Sequence, residues 1–213
     1  MKKAFKFMAI AAIAFGMSMT VACTDDSENS GNGGNGNGNG NGNTENLPTT
    51  LNETFDEGLP ATWTLIDADG DGMNWISTYD AGAVQNISGY NNTGCMVSMS
   101  WYNGDVLYPD NYMVTPKLYI NDGATLTWKV AAQDADYPEE HYAVLIGTLE
   151  NGNFVSRGTL FEETFSGNAK TPTAYYDRSV DLSSYKGQSL YIAFRHYNCS
   201  DMFYLNIDNV QVQ

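Results

Sequence analysis

Three aspartates on alternate residues form the clearest chemical feature of this 213-residue chain. Asp67, Asp69 and Asp71 lie in the stretch DADGDGMNW, where Gly70 and Gly72 follow the second and third of them. Because glycine lets the backbone turn tightly, the three carboxylates can converge on one cation. Oxygen ligands in a tolerant geometry favour Ca²⁺ over Mg²⁺. We therefore predict a calcium site here, with a solvated acidic turn as the alternative.

The aspartate loop matches an EF-hand only over its first six positions. Asp67, Asp69, Asp71 and Gly72 stand where that motif needs them, but Thr78 occupies the twelfth position, which requires a bidentate glutamate. The residues before the loop have the pattern of a strand and not of a helix. The predicted calcium site therefore belongs to a loop on a β scaffold.

A second cation site is predicted from the two ends of the folded region. Glu53 lies near its start and Asp208 near its end. If the first and last strands are neighbours, these carboxylates share an ion that fastens the termini; the alternative is two unrelated surface acids. Asp110 and the acid-rich loop that holds Asp134 and Glu140 are further candidate ligands for the aspartate loop.

The N-terminal part of the chain predicts export and membrane attachment. Residues 1–22 have the basic start and short apolar stretch of a lipoprotein signal peptide, too short to span a bilayer. The sequence TVAC resembles a bacterial lipobox and makes Cys23 the predicted lipidation site, with an ordinary secreted protein as the alternative. Residues 23–46, which include a Gly/Asn run, are a predicted flexible tether to a domain at 47–213.

The net charge of the chain limits the classes of molecule that it is expected to bind. Cleavage of the signal peptide removes three of the 10 basic residues, so 7 remain against 25 acidic ones and the formal charge is −18. Nucleic acid and anionic lipid are poor partners for such a surface. Asp25 and Asp26 resemble an export tag of surface lipoproteins. We therefore predict an outer-membrane protein that faces the cell exterior and touches the membrane through its lipid anchor only.

The folded region lacks helical periodicity and shows short alternating apolar runs. The clearest are TLTWKVAA at 125–132 and SLYIAFRHY at 189–197, each with one apolar face. Some ten such strands without crossover helices predict an all-β, antiparallel two-sheet jelly-roll β-sandwich. The remaining candidate strands are 63–66, 95–101, 111–116, 117–120, 141–149, 153–158, 174–180, 202–207 and 210–213.

Catalytic groups are scarce, and we predict that the protein is not an enzyme. His196 shares a strand face with apolar residues, which predicts a hydrogen-bonded core histidine. No serine has the turn of a nucleophile elbow, and neither Cys95 nor Cys199 has a basic setting in the sequence. Whether these two cysteines form a disulfide stays open. A glycosidase pair such as Asp134 and Glu140 is the remaining catalytic alternative.

A ligand-binding face is predicted on the strand at 189–197, on the side opposite His196. Tyr191, Arg195 and Tyr197 alternate with its apolar residues and therefore point away from the core. Flat aromatic surfaces with nearby polar groups suit sugar rings or protein loops. The alternative is that these tyrosines pack at a sheet edge.

Five segments in order together resemble one family. They are ETFDEGLPATWTLIDADGDGMNW, GYNNTGCMVS, PDNYMVTP, AAQDADYPEEHYAVLIG and YIAFRHYNCSDMFYLNIDNVQV. In this order they are similar to the cleaved-adhesin domains in the haemagglutinin regions of gingipain proteases, within the choice-of-anchor J group. The resemblance implies a jelly roll with structural Ca²⁺ and a role in adhesion to host proteins, blood-cell surfaces or glycans. It assigns calcium roles to Asp67, Asp69, Asp71, Glu53 and Asp208.

Two functions are compatible with this resemblance. The first is a calcium-stabilised cell-surface lipoprotein that recognises a host protein or glycan ligand. The second is a carbohydrate-binding accessory lipoprotein of a polysaccharide-uptake system. The chain departs from the family pattern in showing one adhesin unit and no protease domain, so the avidity of an array is not expected unless the protein clusters.

Overall fold

A computed structural model describes residues 46–165 and 174–213 of the chain. Leu47–Gln213 form one compact unit. The predicted signal peptide, Cys23 and nearly all of the predicted tether lie outside the described residues. Within the described ranges, the helical segments are too short or too polar to cross a bilayer.

Regular secondary structure in the described residues is almost entirely β-strand. Two short 3-10 turns, at Tyr90–Asn92 and Ser183–Tyr185, are its helical segments. The strands are β1 (Leu51–Glu53), β2 (Thr64–Asp67), β3 (Ile76–Ser77), β4 (Met96–Met99), β5 (Trp101–Tyr102), β6 (Asp105–Val106), β7 (Asp110–Val114), β8 (Leu118–Tyr119), β9 (Thr125–Ala132), β10 (His141–Glu150), β11 (Asn153–Thr164), β12 (Tyr176–Asp181), β13 (Ser189–Tyr197) and β14 (Tyr204–Val212).

The strands form two six-stranded sheets. The β14 sheet has the order β12-β9-β14-β4-β3, with β1 also paired to β14, and the β13 sheet has the order β11-β10-β13-β7-β2, with β8 also paired to β13. All pairs in both sheets are antiparallel. Strands β5 and β6 form a separate small hairpin. The predicted all-β, antiparallel two-sheet sandwich is confirmed.

Alternating side chains account for the core between the sheets. On β9, Leu126, Trp128 and Val130 are buried, whereas the residues between them are partly exposed. On β13, Ile192 and Phe194 are buried in the same core cluster. Each of these two strands therefore gives one apolar face to the shared core, and its other face points away from that core.

The C-terminal strand differs from its prediction. The segments 202–207 and 210–213 were expected as two strands, but Tyr204–Val212 is one strand whose pairing with β9 shifts register between Asp208 and Gln211. Asn209 has a positive φ of 48° at this point. The irregularity breaks the two-residue period, which explains why the sequence pattern indicated two pieces.

A network of side-chain hydrogen bonds joins the edge strands of the two sheets. Arg178 on β12 makes two bonds to Glu163 on β11, Nε to Oε1 at 2.8 Å and Nη2 to Oε2 at 2.9 Å. The hydroxyl of Tyr142 donates to Glu163 Oε1 at 2.7 Å and accepts from Trp128 Nε1 at 3.1 Å. Burial raises the pKa of Tyr142, so its hydroxyl stays protonated. These hydrogen bonds therefore link the two sheets at one edge.

Glu163→Gln is expected to lower the free energy of unfolding by about 1–3 kcal/mol, because a partly buried charge-assisted pair is lost. Asp122→Asn is the control, since the ion pair of Asp122 with Lys186 is solvent-exposed and should contribute less than about 1 kcal/mol. Urea denaturation measures both values. Equal effects of the two substitutions would contradict the proposed link between the sheets.

Candidate functional site

The aspartate loop brings its three carboxylates together. Asp67 ends β2, and one oxygen from each of Asp67, Asp69 and Asp71 lies within 4.8 Å of the others. Asp67 holds the turn by accepting the backbone N–H groups of Gly70 at 2.7 Å and Gly72 at 2.9 Å. Both glycines have positive φ values, 76° and 83°, a conformation that other residues rarely adopt. The loop is thus folded by its own acids and glycines.

The donor set of the loop fits a hard cation. Partial burial and the neighbouring charge of Asp69 raise the pKa of Asp71, although a hydrogen bond from the Met73 N–H opposes the shift. Carboxylate oxygens that repel one another and already lie close are the ligands that Ca²⁺ prefers. Asp67, Asp69 and Asp71 are therefore the residues that would hold Ca²⁺.

The two predicted terminal acids lie on paired strands. Strand β1 pairs with β14, so that Glu53 is opposite Val210, two residues from Asp208. Glu53 accepts the Phe55 N–H at 2.9 Å, and Asp208 accepts the Tyr90 N–H at 2.7 Å. Burial, and then the charge of Asp56, raises the pKa of Glu53. The pairing that the predicted second site requires is present.

Asp208 is a buried carboxyl group with a perturbed pKa. It is 0% exposed, and burial is the main cause that raises its pKa to about 7. Hydrogen bonds from the backbone N–H groups of Tyr90 and Asn209 act in the opposite direction, and Asp56 adds to the rise. A bound divalent cation would favour the charged form of Asp208 and remove most of this burial cost.

The raised pKa of Asp208 predicts a pH-dependent stability in the presence of chelator. The native state binds the proton more tightly than the unfolded state, so the cost of ionising Asp208 is absent below about pH 4 and complete above about pH 7. Stability relative to Asp208→Asn should fall across this window by about 4 kcal/mol at most. Urea denaturation at a series of pH values measures the difference. A constant difference between the two proteins would contradict the assignment.

The predicted ligand residues lie on the outer side of the β13 sheet. Arg195 forms a two-bond ion pair with Asp110, at 2.6 and 2.8 Å. Its guanidinium lies 4.1 Å from the ring centre of Tyr197 and 5.1 Å from that of Tyr112. The guanidinium of Arg195 therefore lies within cation–π distance of two aromatic rings, with its charge balanced by a carboxylate.

Small buried residues form the floor of this outer face. Val114, Ala143, Leu145 and Ala193 are buried there. Larger half-buried side chains surround them, namely Ile66, Tyr112, Leu149, Phe154, Tyr191 and Tyr197. The half-buried side chains, four of which are aromatic, pack against this buried centre and give the outer side of the sheet an apolar surface. We name this surface, with Arg195, the aromatic face.

The aromatic face and the aspartate loop are physically linked. Asp110, which binds Arg195, donates its backbone N–H to Asp69 Oδ2. Its backbone oxygen also accepts the N–H of Ala68 at 2.9 Å. Both carboxylate oxygens of Asp110 bond to Arg195, so Asp110 supports the loop through its backbone. The conformation of the loop therefore affects the position of Arg195.

Comparison with known protein families identifies a match to the described domain. A family model of the Cleaved Adhesin Domain matches residues 48–212, almost the whole described unit. The chain belongs to the cleaved adhesin family. Among solved structures, the K1 cleaved adhesin domain of Lys-gingipain from Porphyromonas gingivalis W83 superposes with a TM-score of 0.66 at 41% identity, covering 78% of this chain and 98% of that one.

Relatives with long chains contain the same domain. The cleaved adhesin domain described here is 40% identical over 179 aligned residues to Hemagglutinin A of P. gingivalis W83, and 40% identical over 176 residues to Gingipain R1 of the same species. Each alignment covers 78% of this chain, but only 8% and 10% of those proteins. The matches to proteases thus concern a small part of each protease, and the solved match is an adhesin domain.

Sequence reasoning missed a buried polar cluster and misplaced one of its members. Glu140 was a candidate ligand of the aspartate loop and a candidate glycosidase partner of Asp134, but it is 0% exposed and bonds to His196 at 3.0 Å. His196 is buried and hydrogen-bonded, as predicted. Cys199 is 3.1 Å from the histidine ring, but burial and then the charge of Glu140 raise the pKa of its thiol, so its setting is not a basic one, as predicted. Cys199 and Cys95 are both free thiols.

A turn explains how the cluster escaped detection. His196 and Cys199 are three residues apart at the end of β13, where Asn198 has a positive φ of 55° and the extended conformation of the strand ends. The sequence HYNC at 196–199, in which asparagine can adopt a positive φ, was the local pattern from which the contact between His196 and Cys199 could have been predicted. Glu140 comes from a distant position before β10, and no local pattern connects it to the other two.

Proposed function

We propose that this cleaved adhesin domain is the binding part of a calcium-stabilised lipoprotein, displayed outside the cell, that recognises a host protein or a glycan. Membership of the family supports adhesion as the general role. The aromatic face is the observation that carries the proposal, because it combines partly exposed ring surface with a fixed guanidinium. Glu53, Asp208 and the three aspartates of the loop would hold the stabilising Ca²⁺.

The shape of the aromatic face suits an extended or flat ligand. Tyr191, Ala193, Arg195 and Tyr197 alternate on the outer side of β13, so the row spans about 20 Å at roughly 3.4 Å per residue. Aromatic rings provide a large contact area at low entropic cost, and the fixed guanidinium of Arg195 provides polar contacts. The formal charge of −18 that is expected after signal-peptide cleavage, 7 basic against 25 acidic residues, disfavours a polyanionic ligand. A neutral glycan or a protein loop fits these properties.

Substitution on the aromatic face tests the binding proposal. The double variant Tyr191→Ala/Tyr197→Ala should bind its glycan or protein ligand at least about tenfold more weakly, as expected for aromatic hot spots. Tyr79→Ala is the matched control, since Tyr79 is 51% exposed and follows β3 of the other sheet. A glycan array, run beside a panel of matrix and serum proteins, identifies the ligand class, and titration of each hit gives the affinities.

The outcome of these titrations separates the candidate roles. Loss of a host-protein hit in the double variant supports adhesion, whereas loss of a polysaccharide hit supports the accessory role in polysaccharide uptake. Thermal melts confirm that the double variant is folded. Unchanged binding in a folded double variant, or equal losses in the Tyr79 control, would remove the aromatic face from the proposal.

The lipid anchor needs its own experiment, because it rests on the sequence around Cys23. In a Gram-negative host, the protein should incorporate labelled fatty acid and be digested by protease added to intact cells. Cys23→Ala should abolish the label. Labelling that persists in this variant would exclude Cys23 as the acylated residue, and protection from protease would exclude display on the outer surface.

A further inference from the structure

The buried cluster beneath the end of β13 has the geometry of a metal site. The distance from His196 Nε2 to Glu140 Oε2 is 3.0 Å, and that from His196 Nε2 to Cys199 Sγ is 3.1 Å. The third distance, from Cys199 Sγ to Glu140 Oε2, is 3.4 Å. Three donor atoms of different chemistry thus form a small triangle, supplied by the residue before β10, by β13 and by the loop after β13.

This triangle is not the arrangement of a cysteine nucleophile with its base. In such a relay the acid bonds to one ring nitrogen of the histidine and the thiol to the other. Here the carboxylate and the thiol both contact Nε2, while Nδ1 lies 2.8 Å from Ser98 Oγ. A carboxylate and a thiol can both lie close to one ring nitrogen when all three groups are ligands of the same metal ion.

We propose that Glu140, His196 and Cys199 bind Zn²⁺. Tetrahedral zinc with bond lengths of about 2.0–2.3 Å places its ligand atoms about 3.3–3.6 Å apart, within a few tenths of an ångström of the observed separations. A histidine nitrogen and a cysteine sulfur favour zinc over calcium or magnesium. Ser98 occupies the position of an outer partner that orients the imidazole ring.

Charge balance supports a divalent ion at this depth. Glu140 and His196 are both 0% exposed, so the cluster lies where uncompensated charge is costly. One carboxylate and one thiolate balance the two charges of Zn²⁺, and binding releases the thiol proton to solvent. The other oxygen of Glu140 accepts the Phe203 N–H at 2.8 Å and the Ser100 hydroxyl at 2.9 Å, which holds the carboxylate in place.

The cluster is open on one side. Cys199 is partly exposed and lines a surface groove of about 260 Å³ together with Tyr108, Pro109, Asn198 and Ser200. The groove reaches the cluster at Cys199, and this is the side from which zinc and a water molecule as fourth ligand would enter. The bound ion would tie the loop after β13 to both β10 and β13. The site is separate from the aspartate loop and does not depend on the proposed adhesive function.

Zinc titration of the full chain tests the proposal. Every protein carries Cys23→Ser and no histidine tag, so that acylation and extraneous ligands are avoided, and millimolar Ca²⁺ occupies any calcium sites. Competition with a chromophoric chelator should show one equivalent of bound Zn²⁺. Cys199→Ser should weaken binding by at least about tenfold. Cys95→Ser is the matched control, because Cys95 is the other free thiol and contacts Thr78 instead of a histidine.

Cobalt absorption provides a second, spectroscopic readout. Co²⁺ added to the parent protein should produce the near-ultraviolet charge-transfer absorption of a thiolate–cobalt bond, and excess Zn²⁺ should remove it. His196→Gln should also abolish the band if Cys199→Ser does not fold. Absence of zinc binding, absence of the cobalt band, or binding that is equal in the parent and in a folded Cys199→Ser protein would overturn the proposal.

Discussion

Glu140→Ala is expected to lower the free energy of unfolding by about 3–5 kcal/mol, the largest effect of any single acid in the described part of the chain. The carboxylate of Glu140 accepts hydrogen bonds from Ser100, Phe203 and Cys199 and contacts His196 at 3.0 Å. Alanine would leave these groups buried without an acceptor and would open a cavity. Chemical denaturation of the metal-free proteins measures the change.

The neighbouring glutamate is the control for this prediction. Glu139 precedes Glu140 in the sequence and is exposed, so Glu139→Ala should change stability by no more than about 0.5 kcal/mol. The two variants remove the same side chain from adjacent positions, and only burial differs between them. A loss below about 1 kcal/mol in Glu140→Ala would show that the buried cluster contributes little to the fold.

Millimolar Ca²⁺ is expected to raise the melting temperature by about 5–10 °C over the same protein in chelator. An ion at 100 times its dissociation constant adds about 2.7 kcal/mol, and each kcal/mol corresponds to about 2–4 °C for a domain of this size. Asp69→Ala should reduce the shift, because it removes one of three converging carboxylates. The double variant Asp69→Ala/Asp208→Asn should reduce it further if the terminal site also binds calcium.

Asp105→Ala serves as the control for the calcium experiment. Asp105 is an exposed aspartate of the β5–β6 hairpin, outside both candidate calcium sites, and its substitution should leave the calcium shift intact. Differential scanning calorimetry with calcium and with chelator gives all the values. A parent protein whose melting temperature does not respond to calcium would remove the metal from the proposal for both sites.

The pattern of short alternating strands was enough to predict the fold class. Strands β9 and β13 begin and end at the residues that the alternation indicates, because both are long and have one buried face. The two-residue strand β3 and the three-residue strand β1 were not predicted, since so few residues show no period. Pairing with β4 and β14 establishes these short strands.

How far each candidate site could be predicted depended on how close its residues are in the sequence. The three aspartates and two glycines of the loop are neighbours in the chain, so their spacing alone indicates the turn that the structure contains. Arg195 was correctly placed on the outer face of β13, but its partner Asp110 lies 85 residues away. Strand register between β13 and β7 brings that pair together, and no local pattern encodes it.

By itself, the sequence determined the β-sandwich class, the family, the side of β13 that each residue faces and the aspartate loop. These features depend on periodicity or on contiguous motifs, which a linear chain displays directly. Only the tertiary structure decided which of Glu139 and Glu140 is buried, that Glu140 meets His196 and Cys199, and that the guanidinium of Arg195 contacts the rings of Tyr112 and Tyr197. Such contacts depend on how the strands pair and the two sheets pack, and that arrangement exists only once the distant strands have come together.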